Sequence, residues 1–265
     1  MLDAFSPVAV AEIRSRLQSV RDEGIRIGFA IESGSRAWGF PSPDSDYDCR
    51  FVYVRPISHH IRLSPARDVI EFPIIGDIDT GGWDLRKALH LALKGNAVIV
   101  EWVKSPLVYE EEPGFRHRLS ALLADVMEPR RVARHYAGLL REHYPKGEPA
   151  TVKLKKFLYA IRPAIALHWM EQSDYRELPP MSMLECMADM TLAPEVRAEI
   201  LALIEKKMMT REMGDGTPPA ILRNFVSATN LQYADLSGEL GKTPIARDEW
   251  RMQQAEAFYM AEVSG

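Results

Sequence analysis

Cysteine is nearly absent from this chain. Cys49 and Cys186 are its only two, far apart in sequence. They form neither a zinc-ligand spacing nor a disulfide framework, and a reducing cytoplasm is the expected setting. No apolar run is long enough to span a bilayer. The first residues, Met1-Leu2-Asp3-Ala4, put an acid where a secretory leader carries basic residues, so neither export nor a membrane partner is expected. An excess of positive charge is missing as well: the formal net charge is −4. That excludes a generally basic nucleic-acid binder and leaves any such contact to a local patch. Repeats and low-complexity tracts are lacking. What remains is an ordinary globular composition, 46% apolar over 265 residues, enough for one large or two modest domains.

Against this background one stretch concentrates chemistry: Gly34-Ser35-Arg36-Ala37-Trp38-Gly39-Phe40-Pro41-Ser42-Pro43-Asp44-Ser45-Asp46-Tyr47-Asp48. Residues 25–31 before it alternate as a strand does, and a second strand begins near Asp46 and runs to Val54. Side chains alternate faces along a strand, so Asp46 and Asp48 share one face while Tyr47, Cys49, Phe51 and Tyr53 point into a core. Two carboxylates so close repel and raise one another's pKa unless a cation lies between them, and hard carboxylate oxygens suit Mg²⁺. The Gly-Ser pair closes the preceding strand, where glycine lets backbone approach a ligand and successive N–H groups can cradle phosphate.

Gly-Ser followed eleven residues after the serine by Asp-x-Asp on a strand resembles the nucleotidyltransferase superfamily of DNA polymerase β. The fuller strings Ser33-Gly34-Ser35-Arg36-Ala37-Trp38-Gly39 and Ser45-Asp46-Tyr47-Asp48-Cys49-Arg50 resemble one branch of it. So do Gly82-Trp83-Asp84-Leu85-Arg86-Lys87-Ala88-Leu89, Gly95-Asn96 and Glu101-Trp102. That branch is the predicted nucleotidyltransferases associated with RNA repair, the RlaP type. The resemblance implies an α+β fold, in which a polymerase β-like domain of mixed sheet and flanking helices spans residues 1–126. An all-helical domain, 127–265, would follow and close a nucleotide cleft.

The resemblance also implies two Mg²⁺ or Mn²⁺ ions on Asp46, Asp48 and a third carboxylate. Asp77 and Asp79 alternate onto one face of an expected strand over 74–79, and the family likeness selects Asp79, with Asp77 the alternative. Gly34, Ser35, Arg36 and Ser45 are the expected nucleotide-binding residues, the first three on the outer phosphates. The implied substrate is an NTP, ATP among them, and the implied acceptor an RNA end. A protein or small-molecule hydroxyl is the alternative acceptor, and a nucleotide-binding sensor without turnover the alternative class.

Helical spacing is expected over 8–20, and from Pro113 onward it recurs over 115–126, 129–144, 151–172, 182–190, 194–211, 218–235 and 248–263. In the third of the helices after Pro113, Leu154, Phe157, Leu158, Ile161 and Ile165 mark a buried stripe. Lys155, Tyr159 and Arg162 recur on a neighbouring stripe expected to be left free for the nucleotide. Asp84 is expected to start a helix that Gly95 stops, and His59-His60 to lie in a polar connection rather than on a metal.

Overall fold

The computed structural model describes residues 2, 5–64, 66–144, 147, 151–211, 213–236 and 245–264. Alternating apolar residues form the centre of the first unit. Strand β1 (Arg26–Glu32) pairs antiparallel with β2 (Tyr47–Val54), and β2 pairs parallel with β4 (Ile78–Asp84). Two antiparallel edges, β3 (Val69–Glu71) on β4 and β5 (Val108–Glu111) on β1, complete the order β3-β4-β2-β1-β5. Helix α1 (Pro7–Asp22) starts at Ser6, whose hydroxyl accepts from Ala9 N at 3.5 Å. Its Ala9, Ile13, Leu17 and Val20 bury against Tyr47, Cys49, Phe51 and Tyr53, the odd-numbered face of β2. Even-numbered Asp48 and Arg50 are thereby left to the other face.

That parallel pair dictates the site, and it differs from the expected strand. Residues 75–78 form a turn, in which Ile78 N donates to Ile75 O at 3.1 Å and Gly76 has φ 61°. The strand proper begins at Ile78 and runs through Gly81-Gly82 to Asp84. Phe51 fills the space that a side chain at 82 would need: a Cβ there would meet its ring at 2.3 Å. Asp84 ends β4 and caps α3 (Leu85–Leu93), accepting from Arg86 N at 2.9 Å, and Gly95 follows that helix with φ 80°. Helix α4 (Ala97–Lys104) is capped by Asn96, and its Trp102 lies 4.0 Å, ring to ring, from Trp83. Helix α5 (Phe115–Val126) packs on β1.

The second unit is built from α6 (Pro129–His143), α7 (Leu154–Gln172), α8 (Met183–Ala188), α9 (Pro194–Met209) and α10 (Ala220–Gln232). It also contains a two-residue ladder of β6 (Val152–Lys153) and β7 (Asp215–Gly216), an addition to the all-helical expectation. Helix α7 is its centre, with Leu154, Phe157, Leu158, Ile161 and Ile165 all buried.

The unit boundaries differ from a single cut after residue 126. Unit 1 comprises Met1–Ala37, Asp46–Met127 and Pro244–Gly265; unit 2 comprises Trp38–Ser45 and Glu128–Thr243. The last helix, α11 (Ile245–Ser264), packs on α3 and α5 of unit 1, where Glu262 bonds Arg26 and Arg118. In unit 2, the segment between the Gly-Ser turn and Asp46 is held by two buried cations. Arg162 lies 4.2 Å over the Trp38 ring, and Lys207 lies 4.9 Å over Phe40 while donating to the Phe40 carbonyl at 2.7 Å. Among the described residues, no helix is long and apolar enough to cross a membrane.

Candidate active site

Strand β1 ends at Glu32, and the chain turns at Gly34, whose φ of 62° is the left-handed region where glycine carries no steric cost. The turn is pressed against a carboxylate: a Cβ on Gly34 would stand 2.1 Å from Asp48 Oδ2. Only glycine lets the backbone pass here. Ser33 N donates to Asp48 O at 2.8 Å, so turn and strand are tied by main chain as well. Ser35, in the short helix α2 (Gly34–Ala37), is buried.

Asp48 and Asp79 are direct neighbours in the parallel register of β2 and β4. Arg50, two residues along the same face, reaches both: its Nη2 lies 2.6 Å from Asp79 Oδ2 and 3.4 Å from Asp48 Oδ1. Burial raises the Asp48 carboxyl; Arg50 opposes that, while Asp79 and Asp46 push it further up. Asp46 itself is exposed just ahead of β2 and accepts from Arg36 Nε through its carbonyl at 3.1 Å. The Arg36 guanidinium lies 4.1 Å over the Tyr47 ring. Asp77, the alternative third carboxylate, is exposed in the turn before β4, and its carbonyl takes the Tyr47 N–H at 2.7 Å.

Among the described residues, no three His, Cys, Asp or Glu side chains are gathered closely enough to hold a metal as they stand. The reason is visible. Arg50 Nη2 lies between two of the candidates. The donor set nevertheless suits a hard divalent cation: it is made of carboxylate oxygens, and the space between Asp48 and Asp79 already accepts positive charge. Asp46 is near enough to act on Asp48 electrostatically.

Two residues of this site were given no role from the sequence. Glu32 is fully buried, accepts from Asp48 N at 3.0 Å through Oε1, and takes the Tyr109 hydroxyl on Oε2. Burial pushes its carboxyl up to about 7, against the pull of those two donors. The available signal was an acid closing an otherwise apolar strand. Arg50 was legible by the alternation that pairs Asp46 with Asp48, continued one step further.

The remaining expected residues lie in the second unit. The Ser45 hydroxyl accepts from Ser42 N at 2.8 Å and closes a local turn. On α7 the expected free stripe is largely covered. Lys155 is exposed, Tyr159 is half-buried with its ring edge-on to Trp38 at 5.4 Å, and Arg162 is buried over Trp38. Trp38, His143 and Lys207 all pack on this stripe, the first a contact between residues more than a hundred positions apart.

The model of the RlaP family, described as the RNA repair pathway DNA polymerase beta family, matches residues 10–258. An uncharacterized protein YcgL of Bacillus subtilis (strain 168) is 36% identical over 220 residues, which is 82% of this chain and 83% of that relative. A nucleotidyltransferase-like protein from Exiguobacterium sibiricum 255-15, known from a crystal structure, aligns over 96% of this chain and 78% of its own at 12% identity. Its TM-score of 0.29 is too low for that likeness to carry weight.

Proposed function

This chain belongs to the RlaP family, the DNA polymerase β family of an RNA repair pathway, and from that membership we propose that it moves a nucleoside monophosphate from an NTP to the hydroxyl of an RNA end. The acceptor oxygen attacks the α-phosphorus, the bond to the β-phosphate oxygen breaks, and pyrophosphate leaves. Backbone N–H groups at Gly34 and Ser35, with the Ser35 hydroxyl and the Arg36 cation, hold the outer phosphates. Asp46, Asp48 and Asp79 would hold Mg²⁺ or Mn²⁺, which would supply Lewis-acid stabilisation of the phosphoryl charge. Asp79, half-exposed at the head of β4, takes the acceptor's proton. Glu32 keeps the Asp48 backbone in place. A cytoplasmic setting belongs to the same reading, supported by two buried free cysteines.

The observation that carries the proposal is the Gly34–Asp48 approach, because it brings a phosphate-cradling turn against a carboxylate with an in-register second carboxylate beside it. Phosphate and two acids in one place repel unless a cation joins them. One observation favours a binding-only sensor: Arg50 already bridges Asp48 and Asp79. The test is incubation with each α-labelled NTP, Mg²⁺ or Mn²⁺, and RNAs of varied ends, scoring labelled RNA and, separately, labelled protein. Label on RNA supports the proposal, label on protein moves the acceptor, and NTP binding without metal and without transfer supports the sensor.

A further inference from the structure

At the other end of β2 and β4 lies a second charged cavity of about 480 Å³, wholly within the first unit. It begins at Arg55, seven residues beyond Asp48 along an extended strand, roughly 23 Å away at about 3.3 Å per residue. Arg55, Arg62, Arg67, Arg86 and Lys87 line it, against two carboxylates, Asp68 and Asp84. With its histidines neutral the cavity has an excess of three positive charges, in a chain whose net charge is −4. The carboxylates are committed: Asp84 caps α3 and stands 3.8 Å from Arg55 Nε, and Asp68 meets Lys87 Nζ at 3.3 Å. Arg62 and Arg86 are exposed, as is Arg67, which is paired with Glu71 just outside the lining. His59 is lowered from the usual imidazole value, first by loss of water and then by the neighbouring Arg62 and Arg55. His60 is held by Tyr259, whose hydroxyl lies 3.0 Å from its Nδ1, so the last helix fixes one wall.

We propose that this cavity is a binding site for a compact polyphosphate anion, separate from the carboxylate end of the same strands. The lining selects the chemistry. It contains no Phe, Tyr or Trp among the described residues, and of its three imidazoles His60 is held by Tyr259, so the lining presents mainly cations for an anion. Guanidinium groups converge there from the β2–β3 connection and from the first turn of α3, where the helix dipole adds positive potential. Its concavity and volume fit two or three linked phosphates better than an extended backbone.

The probe is inorganic tripolyphosphate, titrated calorimetrically into the whole protein in EDTA, where the acid-lined Asp48 end repels phosphate. Binding should weaken at least tenfold in Arg62→Ala/Arg86→Ala, with an unchanged melting temperature because both side chains are exposed. It should stay within twofold in Asp48→Asn and fall steeply with added salt. Equal affinity in the double variant, or sensitivity to Asp48→Asn instead, would overturn the site. So would binding of an RNA oligonucleotide through these arginines where tripolyphosphate does not bind. This inference stands apart from the transfer reaction, since it is read without metal and without turnover.

Discussion

Asp48 and Asp79 face one another across the parallel pair of β2 and β4, and the cation that joins them is the protein's own Arg50. Two carboxylates in adjacent register repel, so whatever holds them together is coupled to whatever the site binds.

Arg50→Ala therefore leaves the pair uncompensated. Without metal the variant should lose on the order of 1 kcal/mol, about 2–4 °C in melting temperature, a modest figure because these groups remain partly solvated. Mg²⁺ should then stabilise the variant more than the wild type, since the guanidinium no longer competes. Thermal melts with and without Mg²⁺ decide this, and equal shifts in both proteins would mean that metal does not enter between these acids.

Gly34→Ala puts a methyl where Asp48 Oδ2 now stands, 2.1 Å away, at a φ of 62°. The backbone penalty alone is about 1–2 kcal/mol, and moving Asp48 should cost transfer at least a hundredfold. Melting and single-turnover assays on the folded fraction separate the two effects; a fully active variant would detach this turn from the chemistry.

Glu32 provides the pH prediction. Its carboxyl is raised from 4.5 to about 7 in the folded protein, chiefly by burial. Between those two values the native state keeps a proton that the unfolded chain has lost. The contribution is thus fully present below about 4.5 and is lost as pH rises through about 7, on the order of 3 kcal/mol in total. Glu32→Gln can still accept from Asp48 N and donate to the Tyr109 oxygen, so it should lack this slope and gain on the wild type at alkaline pH. Urea unfolding at pH 5 and pH 8 in EDTA measures it; parallel slopes in both proteins would contradict the burial argument.

Arg162 and Lys155 separate structure from surface on α7. Arg162→Ala removes a buried guanidinium from the Trp38 ring, 4.2 Å away, and should destabilise by about 1–2 kcal/mol. Lys155→Ala, at an exposed position, should leave melting unchanged. A melting loss in Lys155→Ala with none in Arg162→Ala would reverse the two roles.

Much of this was legible beforehand because local periodicity sufficed. The alternation of β1 and β2, the buried stripe of α7 and the bounds of α5 all follow from spacing and caps. What spacing hides is partnership. Strand β5 is four residues, two of them acids, and exists because β1 offers an edge. The helical pattern of α11 announces a buried face without saying that α3 and α5 cover it. Gly81-Gly82 reads as punctuation until Phe51 is seen filling the space at 82. Trp38 and Phe40 join the helical unit through Arg162 and Lys207, side chains that no local window connects to them.

If the Gly34 turn and the Asp48–Asp79 pair form a transfer site, label from an α-labelled NTP should appear on RNA. Wild type should be compared with Asp48→Asn, Asp79→Asn and Asp77→Asn in Mg²⁺ and in Mn²⁺. Asp79 adjoins Asp48 in register, whereas Asp77 lies exposed in the turn before β4. Wild type and Asp77→Asn should therefore label RNA and the other two fall at least a hundredfold, with Asp79→Asn holding NTP within a few fold of wild type. Activity kept in Asp79→Asn and lost in Asp77→Asn would contradict the assignment, and absence of transfer to RNA, protein and small hydroxyl acceptors in either metal would contradict the reaction itself.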